Sequence, residues 1–109
     1  MSLENTEVVD AAGIDKDNGD IVLTILDSLD WGDEIAHLTA LQAKLNSYFD
    51  FVESGQVFEN FPTGEKRAVR INIVSRYPLS ANGVSFLQKA VAMGLTLQVS
   101  ITQQEHFGV

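Results

Sequence analysis

Six residues within a short stretch hold most of the chemistry this chain can offer: Asp27, Asp30, Trp31, Asp33, Glu34 and His37. Glu34 and His37 stand in the Glu-x-x-His spacing, which puts two ligands on one helical face in metal-carboxylate centres. Asp33 and His37 are one helical turn apart, so a carboxylate can orient the imidazole there. A di-iron arrangement needs a second copy of the motif and further Glu residues on other helices, and this chain has one copy. The plainer reading is an acid-rich helix start, which the helix dipole favours, with Trp31 packed over a sheet edge. The sequence therefore predicts no resident cofactor or metal, and it marks these six residues as a candidate interaction or ligand site.

Other motifs fall short on chemistry. Asp15-x-Asp17-x-Gly19 opens like a calcium loop, but its glycine comes one place early and Leu26 stands where the bidentate Glu belongs. It reads as a turn. The histidines are His37 and His106, and His106 falls in a stretch that reads as tail. No nucleophile elbow, Walker loop or dinucleotide fingerprint is present, and Gly64-Glu65-Lys66 lacks the flanking residues of a phosphate loop.

The elements that must position the acidic cluster read as follows. Val8–Ile14 and Ile21–Leu26 favour strands, and Asp15 to Asp20 between them is a dense turn signal, so a hairpin turning at Asn18-Gly19 is expected. Asp30 or Asp33 caps a helix whose apolar stripe is Ile35, Leu38, Leu41, Leu45, Tyr48 or Phe49, and Val52, with Gly55 as its stop. Gln56–Phe61 is extended and aromatic, and the sequence leaves open whether it forms a short edge strand. Val69, Ile71 and Ile73 alternate with Arg70 and Asn72, the pattern of a strand with one buried face. Ser80 caps a second helix with Leu79 and Val84 as a hydrophobic staple, Val84, Leu87 and Val91 as its core, and Gly94 as its end. Leu95, Leu97, Val99 and Ile101 then alternate with Thr96, Gln98, Ser100 and Thr102 as a final strand. The order is ββαβαβ. Right-handed crossovers place both helices on one face. The expected fold is an α+β, two-layer α/β sandwich with a mixed sheet of about four strands, in one domain over 1–109 with loose ends at 1–6 and 104–109.

Charge and composition narrow the class. The net charge is −8, and thirteen of the fifteen acids precede residue 61, where the bases are Lys16 and Lys44. Nucleic acid is a poor partner for such a surface, and the polar sheet face offers no aromatic residue on which a base would stack. An acidic surface suits a basic protein partner instead. With no Cys, disulfides and thiolate sites are excluded, and a reducing, cytoplasmic location is expected. The opening residues predict no signal peptide, and no apolar run is long enough for a membrane span. Open sheet edges with little Lys or Pro predict a homodimer.

The stretch Leu23-Thr24-Ile25-Leu26-Asp27 through Trp31, then His37-Leu38, Leu41-Gln42, Lys44, Asn46, Tyr48, and Phe51 with Glu53-Ser54-Gly55, resembles a family of small bacterial proteins of unknown function. The similarity continues into the Phe61-Pro62 turn and the strand after it. The resemblance implies a bacterial, free-standing domain and assigns no activity. Two readings follow: a non-catalytic interaction module that regulates or inhibits a basic partner, or a small metal- or ligand-binding protein or enzyme working through residues 27–37.

Overall fold

The computed structural model describes residues 11–17, 19–60 and 68–105. Strands β1 (Ala11–Ile14), β2 (Ile21–Asp27), β3 (Val69–Ser75) and β4 (Val99–Glu105) form one mixed sheet in the order β1-β2-β3-β4. β1 pairs antiparallel with β2, and β2, β3 and β4 run parallel. Helices α1 (Glu34–Glu53) and α3 (Ala81–Thr96) make the two crossovers, and a short helix α2 (Gln56–Asn60) follows α1. This is the α+β sandwich that the element order predicts.

Alternation decides which face of the sheet is covered. Ile21, Leu23, Ile25, Val69, Ile71, Ile73, Val99 and Ile101 are buried, and they join Leu41, Leu45, Tyr48, Phe49, Val57 and Ala90 in one core. The intervening residues, Arg70, Asn72, Ser100 and Thr102 among them, lie half-buried or exposed on the opposite face. The hairpin forms with Ile14 opposite Ile21, and Gly19 takes the positive φ of +78° that the turn requires. Asn18 and residues 8–10 lie outside the described residues.

Four expectations are corrected. Gln56–Asn60 is a helix, because Gly55, at φ +84°, redirects the chain and its carbonyl accepts from Phe58 N–H, which carries Val57 into the core. The α1 stripe is rotated: His37, Leu41, Lys44, Leu45, Tyr48 and Phe49 point inward, while Ile35 is 80% exposed. In α3 the inward residues are Gly83, Ala90 and Gly94, with Leu87 and Val91 partly buried and Val84 turned out. Gly94 does not end that helix. It lets the helix approach β4, since a Cβ there would lie 2.7 Å from the Val99 carbonyl oxygen.

The fourth correction concerns the last strand. α3 continues to Thr96, taking Leu95 out of the sheet; Leu97 is its cap, and Gln98 makes the turn at φ +60°. The strand begins at Val99 and runs to Glu105, because β3 offers a seven-residue ladder that Gln104 and Glu105 complete opposite Val74 and Ser75. Gln104 and Glu105 are therefore strand, not loose tail. His106 lies outside the described residues.

Candidate functional site

Crossovers bring the acidic cluster together at the carboxyl ends of the parallel strands. Asp27 is the last residue of β2 and stands level with Ser75 of β3, which stands level with Glu105 of β4. Residues 28–33 connect β2 to α1, whose first turn packs beside the first turn of α3. Open α/β sheets place ligands at this end.

His37 is 2% exposed and sits in the first turns of α1, facing the sheet. Its Nε2 lies 2.6 Å from Asp27 Oδ2 and its Nδ1 lies 2.9 Å from the Asp30 carbonyl oxygen. A carbonyl can only accept, so Nδ1 carries a proton. One further proton lies between Nε2 and the Asp27 carboxylate. Asp27 Oδ1 accepts from Leu29 N–H at 3.1 Å, which completes the pair. Trp31 stacks on the imidazole with ring centroids 3.7 Å apart. Its far edge abuts α3, where a Cβ on Gly83 would stand 3.0 Å from Trp31 Cη2. Asp27, His37 and Trp31 thus form a clasp between β2, α1 and α3.

The remaining acids act on backbone and helix ends. Asp33 is the N-cap of α1 and accepts from Ala36 N–H at 3.1 Å. Asp30 Oδ1 accepts from Gly32 N–H at 3.0 Å. Glu34 accepts from Ser80 Oγ at 2.7 Å, and Ser80, the N-cap of α3, accepts from Gly83 N–H at 3.0 Å. One carboxylate therefore joins the positive ends of two helices. Glu34 and His37 share a helix but not a ligand, since one reaches α3 and the other the sheet. The carboxylate that orients the imidazole is Asp27, ten residues upstream on a strand, rather than Asp33 one turn away. Among the described residues no group of three or more His, Asp and Glu is arranged to hold a metal ion.

The chain as a whole matches one family model, over residues 1–106. It belongs to a family of unknown function, DUF6572. No curated protein and no solved structure gives a significant match. Membership carries no activity over to the clasp, so its chemistry rests on geometry alone.

Three residues near this framework escape a reading of motifs. Lys44 is fully buried in α1, its ammonium 5.7 Å from the Tyr48 ring centroid. Its place was legible, because positions 37, 41, 44 and 48 share one helical face. Ser75 is buried, its hydroxyl without a hydrogen-bond partner among the described residues, and no local signal marks it. Gly83 reads as a weak helix residue until the Trp31 ring is seen against it.

The opposite end of the sheet carries acids of a different kind. Asp50 and Glu53 stand exposed in the last turn of α1, which holds no base, and Glu59 stands exposed in α2. Among the described residues the side chains of these three make no hydrogen bond or ion pair. Asp17 is exposed in the nearby β1–β2 turn beside Lys16, while Asp15 holds Arg70 at 3.0 Å. Lys66 and Arg67, which precede β3 in the sequence, lie outside the described residues.

Proposed function

We propose that the chain is a non-catalytic bacterial interaction module of the cytoplasm, docking a basic protein through the acids at the amino ends of its parallel strands. The observation that carries this reading is the placement of Asp50 and Glu53. They lie at the negative end of the helix dipole, where each acid costs roughly 0.3–1 kcal/mol. Acids held against local stability fit a binding role better than a folding role, and they would speed encounter with a positive partner. The alternative, catalysis or ligand binding by residues 27–37, would require His37 to give up one of its two hydrogen bonds and Trp31 to leave its face.

The test is a native pull-down from the source bacterium with the wild-type chain and with the triple variant Asp50→Asn, Glu53→Gln, Glu59→Gln. The wild-type chain should retain a basic protein that elutes as salt is raised, because exposed charges are screened. The triple variant should lose it. A partner retained equally by both, or one released only by Trp31→Ala, contradicts the reading and moves the contact to the clasp.

A further inference from the structure

The two edges of the sheet are not alike. β1 includes Gly13 and runs into the charged turn Asp15-Lys16-Asp17. β4 is seven residues long, pairs on one side with β3, and from Val99 to Gln104 carries no charge and no proline. Its ladder with β3 is unbroken by any bulge. Sheet edges are ordinarily blunted by Lys, Pro or a bulge, and β4 has none of these.

The helix above that edge shows an independent feature. A cavity of about 200 Å³ between α1 and α3 is lined on the α3 side by Phe86, Lys89, Ala90 and Met93, which fixes the flank of α3 that faces α1. Val84, Gln88, Val91 and Leu95 follow one another at i, i+4, i+7 and i+11 on the other flank. That flank lies over the side of β4 away from β3, where no strand among the described residues pairs with it. Val84 is 43% exposed and Leu95 66%. A largely apolar stripe and a ladder edge that no described strand covers therefore stand side by side.

Charge selects the occupant. The chain carries −8 overall, yet α3 contains no acid and β4 contains only Glu105. Two copies of so acidic a chain repel least across this surface.

We propose that β4 pairs antiparallel with β4 of a second copy about a two-fold axis through Thr102, joining the sheets and packing α3 against α3. This register sets Ser100 opposite Gln104, Ile101 opposite Gln103 and Val99 opposite Glu105, so no like charges meet. The helices share the axis. Gly94 lies against the Val99 carbonyl and the Ile101 side chain. Rising from there to Thr102 takes about two strand residues at roughly 3.3 Å each, or about four helical residues at roughly 1.5 Å each. That level is Lys89–Ala90, the midpoint of the stripe. The same two-fold then sets Val84 against Leu95 of the second copy, and Gln88 against Val91. This pairing is independent of any basic partner at the other acids, and its failure leaves that reading untouched.

The experiment is sedimentation velocity of the full chain at micromolar concentration, with variants at exposed positions. The wild-type chain should sediment at twice its 11.9 kDa mass. Thr102→Lys, which sets two ammonium groups across the axis, and Leu95→Lys, which charges the stripe, should each weaken the dimer by roughly tenfold or more. Circular dichroism should show both variants folded. Because the chain has no Cys, Thr102→Cys gives one thiol per copy, and facing residues on the axis are within disulfide reach. It should oxidise to a covalent dimer, while Thr24→Cys on β2 should not. A wild-type monomer at high micromolar concentration overturns the proposal. So does a dimer that survives both Lys variants and forms no cross-link at position 102.

Discussion

The two ends of α1 use the same residue types to opposite effect. In the first turn, Asp33 and Glu34 meet unpaired N–H groups and the positive end of the dipole, and a second helix end meets them through Ser80. In the last turn, Asp50 and Glu53 meet carbonyls and the negative end, and that turn holds no base. The first pair is part of the fold. The second opposes it and stands exposed. An acidic cluster is thus not informative by its density. Its position on the helix tells whether the carboxylates hold the chain together or reach beyond it.

The comparison breaks most visibly if the clasp is weak. Asp27→Ala or His37→Ala leaves one member of a buried pair alone, and urea unfolding should show a loss of about 3–5 kcal/mol. A loss within error would mean that this end is not locked and that its acids are as free as those at the other.

A smaller effect sharpens the same point from the α3 side. Gly83→Ala raises helix propensity by about 1 kcal/mol, but its methyl would press on a Trp31 ring that cannot retreat from His37. A net destabilisation of about 1 kcal/mol or more is expected from the forced shift. The fluorescence of the chain's one tryptophan should change with it. A stabilised variant with unchanged emission would show that the ring has room.

Smaller again is the cap. Asp33→Ala removes the acceptor for Ala36 N–H and should cost about 1 kcal/mol by thermal unfolding. No loss would place the start of α1 under other control.

Local pattern reached some of this and missed some of it for physical reasons. The one-sided alternation of Val69 to Ile73 and the Ser80 cap are short-range features and appear as read, and of the two caps offered for α1 the structure uses Asp33. Leu95 to Ile101 alternates like a strand, yet 84, 87, 91 and 95 also fit a helix. The two periods compete over the same residues, and the ladder with β3 settles where the strand begins. Gly55 was legible as a stop, but not the re-entry into α2, which depends on a core position for Val57. The six residues lie at one end of the sheet, but their side chains serve separate bonds, and the partner of His37 is a strand residue brought in by the crossover, which no helical spacing reveals.

The most direct measurement compares isosteric neutralisation at the two ends of α1 by thermal unfolding at low salt. Asp33→Asn with Glu34→Gln should lower stability, and Asp50→Asn with Glu53→Gln should raise it, each by about 0.3–1 kcal/mol per charge. Both differences should shrink as salt is added. If neutralising Asp50 and Glu53 destabilises the chain as much as neutralising Asp33 and Glu34, those acids belong to the fold as well, and the case for a docking surface there is gone.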